Sequence, residues 1–154
     1  MYAGLDCRMI ITDPASAETI KYAANGFLAM KISFVNAIAA MCEAVGANVD
    51  DVADGIGSDN RIGSAFLRPG PGWGGSCFPK DSRALVKIAA DYGYDFTMMK
   101  GVIDVNEEQR RRMVGKVRTA LGFGPGGGLR GALVAVLGLT FKAGTDDLRD
   151  SPSL

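Results

Sequence analysis

One apolar run, bounded by strong helix signals, constrains this chain more than any other feature. Asp13 and Pro14 open it. Aspartate suits an N-cap, and proline suits the first helical position, where its missing N–H is an orphan in any case. Apolar side chains then recur at Ile20, Ala23, Ala24, Phe27, Leu28, Phe34, Val35, Ile38, Ala39, Met41 and Cys42, as far as Gly46. The spacing predicts a helix, with Gly46 as its C-terminal stop. It has roughly 30 residues and a length of about 45 Å. The rest of so small a chain cannot cover an apolar rod of that length, so a homodimer packed through the long helix is expected. Residues 22–42 are also nearly long enough to span a bilayer. Lys31 would then lie at mid-membrane at a cost of about 2.5–3.5 kcal/mol, with Asn25 and Asn36 adding to it. No membrane span is expected.

Beyond Gly46, Asn48 caps a short helix running to Ile56 and broken by Gly55 and Gly57. Residues 58–76 are loop-rich. A third helix starts with Pro79 at its first position and ends at Tyr92-Gly93, and a fourth runs from about residue 96 to 121, closed by Gly122. Residues 122–131 form a glycine-rich linker. Residues 132–137, with Val134 and Val136, read as a buried strand opening a new α/β unit. Residues 7–12 are a second short candidate strand. The expected fold is mainly α: a helical domain over 14–121, a lead-in over 1–13, and the first strand of a further domain within 132–154.

Several function classes fall away on composition. The sequence has no histidine, which removes Ser-His-Asp and Cys-His catalysis, a cysteine hydrolase included. Three cysteines, none paired at ligand spacing, make a zinc site improbable and suit reduced thiols in a cytoplasm. Asp6 and Arg8 interrupt any signal-peptide core. Seventeen basic and seventeen acidic residues cancel, so no nucleic-acid partner is expected. The run Arg110-Arg111-Arg112 reads as a solvated helix face. Two glycine triplets, Gly70/Gly72/Gly75 and Gly122/Gly124/Gly127, match G-x-G-x-x-G spacing. Neither sits between a strand and a helix as a dinucleotide fingerprint must.

The chemistry concentrates at Gly74-Gly75-Ser76-Cys77-Phe78-Pro79-Lys80-Asp81. A thiol at a helix N-terminus meets the positive end of the aligned peptide dipoles, and Lys80 adds a cation; both favour the nucleophilic thiolate. Asp81, four residues on, can place a carboxylate near the sulfur. On the long helix Lys21 and Asn25 stand at i and i+4, on one face. A cation and an amide donor so placed suit stabilisation of an oxyanion.

The cysteine segment resembles the catalytic-cysteine motif of the UDP-glucose 6-dehydrogenases within the UDP-glucose/GDP-mannose dehydrogenase family. Three further segments agree in order: Lys21-Tyr22-Ala23-Ala24-Asn25, Asp59-Asn60-Arg61-Ile62-Gly63, and Gly138-Leu139-Thr140-Phe141-Lys142 running on to Asp147-Leu148-Arg149-Asp150-Ser151-Pro152. The resemblance implies an enzyme with an NAD domain preceding residues 1–13, a helical middle domain here, and a nucleotide-binding domain beginning at 132. It therefore implies a fragment, inactive by itself, of an enzyme that oxidises the C6 alcohol of UDP-glucose to a carboxylate with NAD.

On the same resemblance Cys77 forms a thiohemiacetal and then a thioester, Lys21 and Asn25 stabilise the oxyanion, and Asp81 orients or activates water. Arg61 reaches the sugar across a subunit boundary. The loop 66–75, including Phe66, Leu67 and Gly74, cradles the nucleotide-sugar, and Lys142 contacts it. Lys80 and Arg149 lie toward the cofactor. Phe78 and Ser76 fit UDP-glucose better than GDP-mannose or UDP-N-acetylmannosamine, which remain alternatives. An inactive helical dimerisation module is another.

Overall fold

In the computed structural model, which describes residue 4, residues 6–124 and residues 127–154, four helices carry the fold: α1 Pro14–Val45, α2 Val49–Gly57, α3 Phe78–Asp91 and α4 Thr97–Ala120. Helix α1 is the spine and packs against the other three, while α3 also packs on α4. Its ends behave as the sequence predicts. The Asp13 carboxylate accepts from the Ser16 N–H at 2.9 Å, and Gly46 closes the helix in the left-handed conformation. Asn48 likewise caps α2, accepting from the Asp50 N–H at 3.0 Å. That helix passes through Gly55 and stops at Gly57.

The residues of α1 that face its neighbours are mostly small: Gly26, Ala29, Ser33, Val35, Asn36, Ala39 and Cys42 are buried. Gly26 marks a close approach of α1 to both α3 and α4. A Cβ there would lie 2.8 Å from Leu85 of α3 and 2.9 Å from Met99 of α4. Around this crossing Ala29, Trp73, Met99 and Val102 form one core cluster, and Val35, Ala53 and Leu67 form a second beneath α2. Four large apolar residues of the predicted period go elsewhere. Ile20, Phe27, Phe34 and Met41, seven residues apart, are each about half exposed along a different face.

By length and apolar composition α1 would suffice to cross a membrane. Its mid-helix lysine instead has protein partners, since the Lys31 ammonium donates to the carbonyls of Ile62 and Gly63, each at 3.0 Å.

Both predicted strands require correction. Residues 7–12 and 132–137 adopt no strand, and among the described residues there is none. Leu133 and Leu137 are almost fully exposed. An apolar run makes a strand only when a neighbour completes its hydrogen-bond ladder, and no neighbouring segment does so here. The linker predicted over 122–131 includes Pro125 and Gly126, which lie outside the described residues, as do 1–3 and 5 of the lead-in. A smaller correction concerns α3: it begins one residue earlier than expected, so Cys77 is its N-cap residue and Pro79 its second helical residue.

Candidate active site

Helix α3 is aimed at α1 by a buried carboxylate. Asp81 lies in the first turn of α3 and is fully buried. Asn25 Nδ2 donates to its Oδ2 at 2.6 Å, the Lys80 ammonium donates to Oδ1 at 2.6 Å, and Lys21 Nζ also bonds Oδ2. Lys21 and Asn25 therefore do share a helix face, and the object they share is Asp81. Burial pushes this carboxyl up, but the hydrogen bonds from Lys21, Lys80 and Asn25 outweigh it and hold the pKa down at about 2. Tyr22 adds a ring within cation–π range of both ammonium groups, 5.4 Å from Lys21 Nζ and 5.8 Å from Lys80 Nζ.

One turn back along α3, the Asp81 N–H donates to the Cys77 carbonyl at 2.8 Å. The thiol is exposed, with the Ser76 hydroxyl 3.7 Å away. Cys77 opens onto a cavity of about 430 Å³ walled by Phe66, Trp73, Phe78, Phe141 and Lys142. Phe66 holds a positive φ of 65°, uncommon for a bulky residue, and its ring lies 6.3 Å from that of Phe78.

The loop leading to Cys77 owes its shape to side chains of α1 and α4. Asn106 is buried and pairs with Trp73 twice: its Oδ1 accepts from the Trp73 N–H at 2.8 Å, and its Nδ2 donates to the Trp73 carbonyl at 3.0 Å. Asn36 Oδ1 accepts from the Gly70 N–H at 2.8 Å, and Gln109 donates to the Gly70 carbonyl at 2.7 Å. The indole N–H of Trp73 donates to Ser33 Oγ at 2.9 Å. The loop's backbone is thus satisfied by tertiary partners rather than by regular structure.

Of the predicted site residues, Cys77, Phe66, Gly74 and Lys142 line the one cavity. Lys21, Asn25, Lys80 and Asp81 form the ion cluster at the head of α3. Lys80, expected to face a cofactor, is engaged by Asp81. Leu67 is buried against Val35 and Ala53, so its side chain anchors the loop. Arg61 points outward, 88% exposed and paired with Asp59 at 2.6 Å. Arg149 is clasped by Asp147 at 2.7 Å, while its carbonyl accepts from the Gly75 N–H at 2.8 Å.

The solvated-face reading of residues 110–112 is corrected. Arg110 reaches the Trp73 carbonyl and Arg112 pairs with Glu43 of α1 at 2.9 Å, leaving Arg111 as the exposed one. Asn106, Gln109 and Arg110 were missed although their spacing, i, i+3 and i+4, marks one helix face. Tyr22 and Phe141 lay inside the matching segments without being assigned a role, and Trp73 carried no signal beyond its size.

A thiol, a buried carboxylate and two ammonium groups gathered on a helical scaffold, without histidine, suit oxidoreductase chemistry at a carbonyl. Comparison with known proteins sharpens that class. Residues 15–108 match the model of the UDP-glucose/GDP-mannose dehydrogenase family, central domain, and the chain belongs to this family. It is 55% identical over 95% of its length to a UDP-glucose 6-dehydrogenase of Rhizobium meliloti, and 53% identical over 93% to one of Bacillus subtilis. It spans 32% and 31% of those relatives, about a third of their length. Among solved structures, a UDP-glucose dehydrogenase from Pyrobaculum islandicum superposes with a TM-score of 0.92 at 40% identity, covering 99% of this chain and 34% of that one. A UDP-D-ManNAc dehydrogenase from Pyrococcus horikoshii superposes with a TM-score of 0.81 at 30% identity, covering 97% and 34%.

Proposed function

We propose that this chain is the thiol-bearing segment of an NAD-dependent UDP-glucose 6-dehydrogenase. The observation that supports it most directly is Cys77 at the mouth of the cavity, one turn from the cluster of Asp81, Lys21, Asn25 and Lys80. Relatives at 55% and 53% identity carry that enzyme's name.

The described residues do not fit a nicotinamide cradle. They contain no strand, and the two glycine triplets lie before α3 and after α4 rather than in a βαβ turn. The proposed role of NAD, as hydride acceptor bound by other parts of a longer protein, therefore contributes no step derived from these side chains. What they are assigned is the covalent chemistry. The Cys77 sulfur adds to the C6 aldehyde, forming a C–S bond and placing negative charge on oxygen. Lys21 has N–H groups beyond those bound to Asp81, and Asn25 has a second N–H, so both can donate to that oxygen. The hydrides that C6 must lose, first to give the aldehyde and then to give a thioester on Cys77, would be taken by NAD bound outside these residues. Water cleaves the thioester's C–S bond, giving the carboxylate and restoring the thiol.

A carboxyl at about 2 with both oxygens engaged is a weak proton acceptor. For Asp81 we therefore favour orienting Lys21 and Asn25 over deprotonating water. The exposed Ile20, Phe27, Phe34 and Met41 stripe supports the proposed homodimer, since contiguous apolar surface marks an interface. Arg61, pointing outward, suits contact with a neighbouring subunit's sugar. A reducing, cytoplasmic setting is part of the proposal, since such a compartment keeps a thiol free.

The test is Cys77→Ser in the NAD-binding full-length enzyme. UDP-glucuronate formation is expected to vanish while UDP-glucose still binds; ordinary turnover in that variant removes Cys77 from the chemistry. The 154-residue chain alone, mixed with UDP-glucose and NAD, is expected to release no NADH.

A further inference from the structure

The cavity at Cys77 has walls from two distant parts of the sequence. Trp73 and Cys77 come from the loop before α3, Phe78 from its first residue, and Phe141 with Lys142 from the C-terminal segment. On the Cys77 side of the seam between these walls the contact is made by glycines. A Cβ on Gly74 would stand 2.1 Å from the Asp150 carbonyl oxygen, and one on Gly75 2.7 Å from the Phe141 ring. The backbone bond between them runs from the Gly75 N–H to the Arg149 carbonyl, at 2.8 Å. Two side chains reach across it: Arg83 of α3 stands 4.0 Å from the Asp150 carboxylate, and Arg110 of α4 bonds the backbone of both walls. Arg110 Nη2 donates to the Trp73 carbonyl and to the Asp150 carbonyl, each at 3.0 Å.

We propose that Arg110 is a positioning residue that latches the Phe141–Lys142 wall onto the Cys77 loop and refers both to the rigid body of α4. The inference rests on the reading that the nucleotide-sugar occupies this cavity. The latch is asymmetric. If Arg110 is lost, the Cys77 loop keeps both Asn106 bonds to Trp73 and the Asn36 and Gln109 bonds to Gly70. The opposite wall keeps the Gly75–Arg149 bond, the packing of Phe141 and the long, exposed Arg83–Asp150 pair. Removal therefore loosens the wall that carries Lys142 and leaves the thiol aimed. Of the three adjacent arginines Arg110 reaches the seam, Arg112 pairs with Glu43, and exposed Arg111 is a built-in control.

The test compares Arg110→Gln with Arg111→Gln. Amide hydrogen exchange is read at Gly75, whose N–H crosses the seam, and at Trp73, whose N–H is held by Asn106. Arg110→Gln is expected to speed Gly75 exchange about three- to tenfold, the worth of one net hydrogen bond, and to leave Trp73 unchanged. N-ethylmaleimide modification of Cys77, followed by peptide mass spectrometry to separate it from Cys7 and Cys42, should rise in parallel. Arg111→Gln should change neither, and Arg110→Lys should recover part of the protection. In the full-length enzyme Arg110→Gln should raise KM for UDP-glucose severalfold at nearly constant kcat. Equal acceleration at Gly75 and Trp73, which is what general destabilisation produces, overturns the proposal, as does unchanged Gly75 exchange. Exchange and alkylation on this chain do not depend on turnover. A full-length Cys77→Ser enzyme that still turns over would thus overturn the function and leave the latch standing.

Discussion

Asp81 and Asp147 are both held at a pKa of about 2, by different physics. Asp147 is clasped by Arg149 two residues away: the guanidinium donates at 2.7 and 2.9 Å and the Arg149 N–H at 2.9 Å. Asp59 and Arg61 repeat that arrangement almost bond for bond. These are local clasps, and their arginines lie in solvent, 70% and 88% exposed. Asp81 gathers its donors from two helices, with Lys21 and Asn25 lying 60 and 56 residues from it in sequence, and is sealed from water. A local clasp forms wherever the turn forms, in the unfolded chain as well, and adds little to folding stability. The bonds from Lys21 and Asn25 to Asp81 exist only when α1 and α3 are docked, so their free energy is free energy of docking.

The comparison is broken most severely by Asp81→Asn. That change leaves two ammonium groups facing an uncharged amide at the helix junction, and a loss of about 2–4 kcal/mol in urea unfolding is expected. A change indistinguishable from that of Asp147→Asn would mean that burial and origin do not matter. Acid sharpens it next. Because the folded Asp81 carboxyl lies below the ordinary value near 4, the unfolded state binds more protons between the two. The Asp81 contribution is thus complete above about pH 4 and lost as pH falls through about 2. Thermal unfolding from pH 5 to 2 should show that decline in the native protein, and Asp81→Asn should flatten it; an unaltered slope in the variant assigns the acid lability to other groups. The smallest effect is predicted for Asp147→Asn, whose unfolding midpoint should stay within measurement error. A clear drop there would show that the clasp helps hold the C-terminal segment against Gly74 and Gly75.

What could be read without coordinates follows the same division. The caps at Asp13, Asn48 and Gly46 depend on a few adjacent residues, and all were legible. So was the pairing of Lys21 and Asn25, because the helical period alone puts them on one face. The two apolar runs at 7–12 and 132–137 were misread because strand formation depends on a partner, which a short run does not specify. The arginine run at 110–112 was misread for a related reason: a helix pattern says which residues point together, and only neighbouring elements decide whether they meet solvent or a loop carbonyl. Arg110, Asn106 and Gln109 looked like an ordinary polar face, and each is committed to the backbone of a segment more than thirty residues earlier.

Local chemistry along the chain determined where the helices start and stop, that a thiol stands at the head of α3, and which residues resemble a dehydrogenase. Hydrogen bonds within a turn or two and steric limits on φ act over so few residues that sequence encodes them directly. Tertiary structure alone decided that Asp81 is the hub for Lys21 and Asn25, that Arg110 spans the seam between two cavity walls, and that the small side of α1 is buried while a stripe of large apolar residues stays half exposed. Those outcomes depend on which surfaces approach within a few ångströms, and Gly26 permits that approach without itself naming the partner.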